Sequence, residues 1–180
     1  LGTQINTFSI GFKAGENLWI ALGHRFVGRA MIQFPKSLAL LAYEGNKPFI
    51  GENVILSSRL DALAYQEFFL QMGFRLKTDP AISWGFKIKV LDGLTGIKMI
   101  AGEASIYTHP EDYSLTGKIN YLVNTAPINT RQPFSNLGAA IDIGFQYQSE
   151  KGSFSGAIVD MGTVFWKNAR QISLNKSVTF

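Results

Sequence analysis

Residues 77–90 read KTDPAISWGFKIKV, and this stretch decides the fold class. After the turn residues Thr78, Asp79 and Pro80, apolar and polar side chains alternate, which places them on opposite faces of a β-strand. The apolar set is Ile82, Trp84, Phe86, Ile88 and Val90, and the second set is Ser83, Gly85, Lys87 and Lys89. The stretch therefore predicts a two-faced strand, and the open question is whether its apolar face meets lipid or a protein core.

Composition narrows the classes of protein that the chain can be. Its 180 residues suffice for one domain, with 46% hydrophobic residues and only 17% charged ones, below the roughly 25% of a soluble domain. The net charge of +4 is spread along the chain, which disfavours a nucleic-acid-binding surface. The absence of cysteine excludes disulfides, thiolate metal sites and thiol catalysis. No apolar run approaches the roughly 18 residues of a membrane-spanning helix.

Strand patterns recur along the chain and predict about ten strands. A hairpin joins residues 7–13 to a strand that begins at Leu18, and a break near 35–44, led by Pro35, predicts one short helix. One strand is expected to end at the LDG turn near Asp92, and another to cover residues 97–107. Residues 108–112 and 125–136 are interpreted as loops. We therefore expect residues 1–180 to form a single all-β domain, an antiparallel meander.

The strands favour a transmembrane β-barrel. Several patterned segments reach about ten residues, close to the 9 to 11 that a tilted bilayer-spanning strand needs and longer than the usual five or six. The predicted lipid-facing residues are Phe68, Leu70, Phe74, Trp84, Phe86, Ile88, Ile143 and Phe145. The predicted lumen-facing residues are Glu67, Gln71, Arg75, Lys87, Lys89, Lys118, Asp142 and Gln146. The alternative is a soluble lipid-binding barrel, which would turn its apolar face inward.

Candidates for catalysis or metal binding are few. The two histidines, His24 and His109, have no further metal ligands at suitable spacing. A hydrolase triad of Ser58, His109 and Glu111 has no nucleophile elbow to support it. We therefore predict no enzyme, no metal site and no cofactor. Arg25 and Arg29 share one face of a strand, where they would pair with carboxylates or with lipid phosphate.

Several segments resemble an uncharacterised family of predicted outer-membrane barrel proteins from Bacteroidota, similar to fatty-acid porins. The resemblance lies in a helix led by Phe34-Pro35-Lys36, in Gly45-Asn46 followed by Phe49 and Gly51, in Leu56-Ser57 with Asp61-Ala62, Tyr65 and Glu67, and in Asp160, Gly162, Trp166 and Lys167. Members of that family are longer, so the resemblance implies that these residues are a portion of a longer barrel protein. It also implies a location in the outer membrane of a Gram-negative cell.

Two functions are expected for such a protein. One is a channel or transporter for small molecules, including hydrophobic ones. The other is a non-conducting subunit of an outer-membrane assembly, with outer-membrane lipid and other outer-membrane proteins as partners and no contact with nucleic acid. The channel requires a continuous path past the helix and a removable plug, whereas the subunit requires an exposed face whose apolar residues contact protein instead of lipid. Opposed charges in the lumen would either set ion selectivity or neutralise each other across a closed interior.

Overall fold

A computed structural model describes residues 1–77, 81–100, 102–126, 128, 133–167 and 169–180. The chain is almost entirely strand. The strands are β1 (Gly2–Lys13), β2 (Leu18–Gln33), β3 (Asn53–Ile55), β4 (Arg59–Arg75), β5 (Ile82–Ile100), β6 (Ala104–Thr108), β7 (Leu115–Ala126), β8 (Leu137–Ser149), β9 (Gly152–Val164) and β10 (Arg170–Thr179). The helices are α1 (Lys36–Glu44) and a single 3-10 turn (Lys47–Phe49). The predicted all-β fold with one short helix is confirmed.

The strands form one sheet that branches at β5. Every strand pair described is antiparallel, and β1, β2, β4 and β5 are neighbours in that order. Residues 82–92 of β5 pair with β8, which pairs in turn with β9. Residues 96–100 of β5 pair instead with β7, which also pairs with β10 and with β6, and β6 pairs with β3. Two branches therefore leave the same edge of β5, one toward β9 and one toward β10.

The branch that ends in β9 is curled. Strands β2 and β9 are separated in the sheet by β4, β5 and β8, yet Arg29 of β2 forms an ion pair with Asp160 of β9. Side chains from strands so far apart can meet only on the concave side of a strongly curled sheet. We call this concave side the inner face and the opposite side the outer face.

Helix α1 begins and ends as the sequence predicts. Pro35 is its N-cap, with φ −72° and ψ 153°, and Gly45 ends it with a φ of 74° that favours glycine. The Gly45 N–H donates to the Leu41 carbonyl at 3.0 Å. The helix lies beside β3, where the Ser37 hydroxyl donates to the Ile55 carbonyl, and none of its residues is buried. It therefore lies beside the last strand of the branch that runs from β5 through β7 and β6 to β3.

Two predicted boundaries are wrong. The LDG segment near Asp92 is not a turn, because β5 continues through it to Ile100; a register shift against β4 at this point absorbs one extra residue. The strand expected over residues 97–107 is divided between the end of β5 and the separate β6. The predicted turn at Thr78, Asp79 and Pro80 lies outside the described residues, as does part of the loop at 125–136.

Candidate functional site: a charge cluster on the inner face

The first part of the cluster is an ion pair between two neighbouring strands. Arg25 on β2 and Glu67 on β4 face each other in register, and Arg25 Nε lies 2.6 Å from Glu67 Oε1. The Glu67 side chain is fully buried. The N–H is not aligned with the carboxylate as a hydrogen bond, so the contact is electrostatic. The Arg25 guanidinium also donates to Gln4 Oε1 at 3.1 Å, which ties β1 to the same group.

The centre of the cluster is Lys89, a buried ammonium held by two carboxylates. Its Nζ lies 2.6 Å from Asp142 Oδ1 on β8 and 2.5 Å from Asp160 Oδ1 on β9. The Lys89 side chain is 1% exposed, so the charge is withdrawn from bulk solvent. A buried charge is tolerated only when it is paired and hydrogen-bonded, as Lys89 is.

A backbone irregularity places Asp160 in this position. The pairing of β8 with β9 shifts register between Ile141 and Ile143, and Asp160 adopts a φ of 57°, which is uncommon for a residue other than glycine. Its backbone N–H donates to Asp142 Oδ1 at 2.7 Å. The bulge therefore turns the Asp160 carboxylate inward, where it meets Lys89 and, from across the sheet, Arg29.

An apolar layer adjoins the charges on the same face. Val27, Tyr65, Leu91 and Ala140 are buried together, with Leu63 and Val164 packed against them. Trp166 covers this end of the inner face: a Cβ built on Gly93 would lie 2.8 Å from its ring and from Val164. Glycine is required at position 93 because the indole occupies that space.

The predicted lumen-facing residues divide into two groups. The first group lies in the cluster and consists of Glu67, Lys87, Lys89 and Asp142. Gln71 lies next to this group: it is half-buried and pairs with Lys87 on the inner face. Arg75, Gln146 and Lys118 are exposed and take no part in an ion pair described here. The pairing of Arg25 and Arg29 with carboxylates agrees with one of the two predicted alternatives. Asp160 was not predicted, because the strand pattern does not reveal the bulge that turns it inward.

The predicted lipid-facing residues all lie on the outer face. Phe68, Leu70, Trp84 and Ile88 are exposed, at 37% to 53%. Phe74, Phe86, Ile143 and Phe145 are half-buried, and aromatic rings contact one another across the strands: Phe74 with Phe86 at 5.9 Å between centroids, and Trp84 with Phe145 at 5.6 Å. The apolar surface continues onto β1 and β9, where Ile10 and Phe154 are 62% and 65% exposed.

A series of hydrogen-bonded polar side chains crosses this apolar surface. The Thr7 hydroxyl lies 2.6 Å from His24 Nδ1, His24 Nε2 lies 3.2 Å from Gln66 Oε1, and Gln66 Nε2 donates to Asp92 Oδ2 at 2.8 Å. The Phe134 N–H donates to the same carboxylate oxygen at 3.0 Å. Each of these polar groups has a hydrogen-bond partner, and the hydrogen bonds connect residues 133–136 to the outer face.

The remaining catalytic and metal candidates are not assembled. The Ser58 hydroxyl donates to the Leu56 carbonyl at 3.2 Å, whereas His109 Nε2 lies 3.2 Å from the Thr116 hydroxyl, so the two have separate partners. In the described residues, histidines and carboxylates form no group of three that could hold a metal ion. No helix among those residues is long and apolar enough to cross a membrane.

Comparison with known proteins gives a family and no function. No curated protein and no solved structure matches the chain. One family model matches residues 1–180, the whole of the sequence, and its description is "Family of unknown function (DUF5723)". The chain therefore belongs to this family of unknown function, DUF5723.

Proposed function

We propose that this chain is part of an outer-membrane β-barrel with a closed, non-conducting interior, acting as a subunit of an outer-membrane assembly. The observation that carries the proposal is the reversed burial of the two faces. Lys89 and Glu67 are the most deeply buried large side chains, whereas Ile88 and Leu70, on the same strands, are 53% and 41% exposed. A protein surrounded by water favours the opposite arrangement.

The same observation opposes a soluble lipid-binding barrel. Such a protein needs its apolar residues inside, around the ligand, and its charges outside. Here the outer face of six adjacent strands carries large apolar side chains, and contiguous apolar patches on soluble monomers rarely exceed a few hundred Å². Lipid on the outer face and polar groups inside is the arrangement of an outer-membrane barrel.

Strand lengths support the same placement. β4 and β5 have 17 and 19 residues, well beyond the roughly 9 to 11 that cross a bilayer. The excess lies in the part of β5 after Asp92, where the sheet branches toward β7 and β10. We place that second branch and α1 outside the hydrocarbon core, and the branch with β8 and β9 within it.

The packing of the inner face favours a non-conducting subunit over a channel. Ion pairs join β2 to β4, β5 to β8, and β2 to β9, so charged side chains cross the interior from one wall to the other. The apolar layer of Val27, Leu91 and Ala140 lies beside them. Conduction would require these contacts to separate, and separated buried charges are costly.

A channel is the second candidate, and one observation favours it. A cavity of about 300 Å³ lies within the inner face, bounded by Arg29, Asp160, Tyr65, Leu91 and Trp166. A channel would require this cavity to continue along the interior.

The experiment combines fractionation with conductance. The protein, produced with its natural flanking sequence in a Gram-negative host, is expected to remain in the outer-membrane pellet after carbonate extraction and to give no steady conductance in a planar bilayer. Recovery in the soluble fraction would contradict the membrane proposal. Steady, reproducible conductance would select the channel instead.

A further inference from the structure

The charges of the inner-face cluster do not balance. It contains four cations, Arg25, Arg29, Lys87 and Lys89, and three carboxylates, Glu67, Asp142 and Asp160. Each carboxylate is engaged: Glu67 by Arg25, Asp142 by Lys89, and Asp160 by Arg29 and Lys89. Lys87 is the remaining cation, and no carboxylate of the described residues lies within ion-pair distance of it.

Lys87 is nevertheless held in place. Its Nζ lies 4.6 Å from the centre of the Phe69 ring, in a cation–π contact, and the Arg25 guanidinium lies 6.0 Å from the same ring. Two cations thus lie near one aromatic ring. The direct cross-strand neighbour of Lys87 on β8, Asp142, is occupied by Lys89. A half-buried positive charge positioned without a counter-ion attracts an anion, the more strongly because the surroundings are less polarisable than water.

There is room for a ligand beside Lys87. The next inner-face residue along β5 is Gly85, which pairs with Gly73 on β4 and Gly144 on β8. A Cβ built on Gly73 or Gly85 would meet no atom closer than 3.9 Å, so packing within the structure does not require glycine there. We call the surface formed by Gly73 and Gly85 the glycine floor. Trp19 pairs with Gly73 and is 42% exposed, which places an aromatic side chain at the edge of the glycine floor.

We infer that Lys87, Phe69 and Arg25, with the floor of Gly73 and Gly85, form a binding site for a small, flat organic anion such as a ring-bearing carboxylate. The anionic group would be neutralised by Lys87, and the ring would lie on the glycine floor beside Trp19. Planar rings pack well on exposed backbone and against an indole. The inference goes beyond the proposed function: it requires only that water reaches Lys87 and the two glycines, whether or not the protein lies in a membrane.

The test uses the whole protein in detergent micelles with benzoate as the probe and benzamide as its uncharged isostere. Binding is followed by tryptophan fluorescence, with Trp19→Phe identifying the reporter. Benzoate is expected to bind, benzamide at least tenfold more weakly, and added salt to weaken only benzoate. Lys87→Gln is expected to weaken benzoate binding at least tenfold, whereas Lys77→Gln, at an exposed position of equal charge, leaves it unchanged.

Shape is tested separately from charge. Gly85→Val keeps Lys87 but fills the floor, and it is expected to weaken benzoate binding at least tenfold. Benzoate that fails to bind up to its solubility limit, or that binds Lys87→Gln as tightly as the unaltered protein, would overturn the inference. Because micelles hold the protein whatever its cellular location, benzoate binding by a protein recovered in the soluble fraction would refute the proposed function and leave this inference standing.

Discussion

Neighbouring residues of β5 show the contrast between the two faces of the sheet. Lys89 is 1% exposed and lies between two carboxylates, whereas Ile88, the preceding residue, is 53% exposed on an apolar surface. The contrast holds across β4, where Glu67 is fully buried and Phe68 is 38% exposed. The inner face is therefore specified by particular ion pairs, and the outer face by a general requirement for apolar side chains. Substitutions on the two faces should therefore destabilise the protein for different reasons.

The largest effect is expected from removing the central cation of the inner face. Lys89→Met would leave Asp142 and Asp160 without the ammonium that they share, and breaking a buried ion pair from one side costs about 3–5 kcal/mol. The free energy of unfolding, measured by urea titration in micelles, should fall by that amount. Lys118→Met, at an exposed position on β7, is the control and should change it by less than about 0.5 kcal/mol. Equal effects from the two variants would show that Lys89 does not hold the interior together.

The next effect distinguishes lipid from water outside. Ile88→Lys places a charge on the exposed outer face, which costs about 2–4 kcal/mol near the middle of a bilayer and close to nothing in water. The free energy of unfolding is compared for protein folded into lipid vesicles. Gln146→Lys, an exposed position in phase with the inner face, is the matched variant and should be nearly neutral. A neutral Ile88→Lys would indicate that the outer face does not meet hydrocarbon.

A smaller effect is expected where Trp166 covers the inner face. Gly93→Ala would place a methyl group 2.8 Å from the Trp166 ring and from Val164, so the indole has to move. Overpacking of this kind costs about 1–3 kcal/mol. Gly152→Ala, where a Cβ would have no neighbour within 4 Å, is the control. Tryptophan fluorescence should change in Gly93→Ala and not in Gly152→Ala. An unchanged fluorescence in Gly93→Ala would contradict the packing of Trp166 on Gly93.

The smallest effect concerns a turn outside both faces. The Ser114 N–H donates to Asp112 Oδ1 at 3.0 Å, and this hydrogen bond holds the pKa of Asp112 below its ordinary value. A lowered pKa in the folded protein means that the ionised carboxylate stabilises the turn above the pKa of the unfolded chain. That contribution is lost as the pH falls through the folded pKa. An NMR titration of the Ser114 amide should report this transition, and Asp112→Asn should abolish it. A transition that persists in the variant would assign it to another group.

Sequence alternation predicts which face of a strand a residue occupies, but it does not predict where a β-bulge interrupts the strand. The faces of β4, β5 and β8 are predictable because a strand has a strict period of two, so counting from Trp84 or Ile143 puts Lys87, Lys89 and Asp142 on one face of the sheet. That this face lines a lumen stays a prediction. A β-bulge inserts an extra residue and so shifts the alternation of faces by one position. The register shift against β4 near Asp92 and the one beside Asp160 are invisible in the alternation, which is why a false turn was expected at the first and an inner-face carboxylate was missed at the second.

The partners within the inner face also escape prediction from sequence. Arg29 and Asp160 are 131 residues apart, and their contact depends on how strongly the sheet curls. Alternation specifies the face of a residue but carries no information on curvature. The branch at β5, where β7 and β8 share one edge, is likewise a matter of long-range pairing.

The central claim, that lipid covers the outer face of the sheet and not the inner one, is tested most directly by cysteine labelling. The chain has no cysteine, so Ile88→Cys and Gln146→Cys each provide a single thiol. Each variant is treated in native envelopes with a membrane-dissolved maleimide and with a charged, water-soluble one. We predict that residue 88 reacts only with the lipophilic probe and residue 146 with the aqueous one. Ready labelling of residue 88 by the charged probe would contradict the claim.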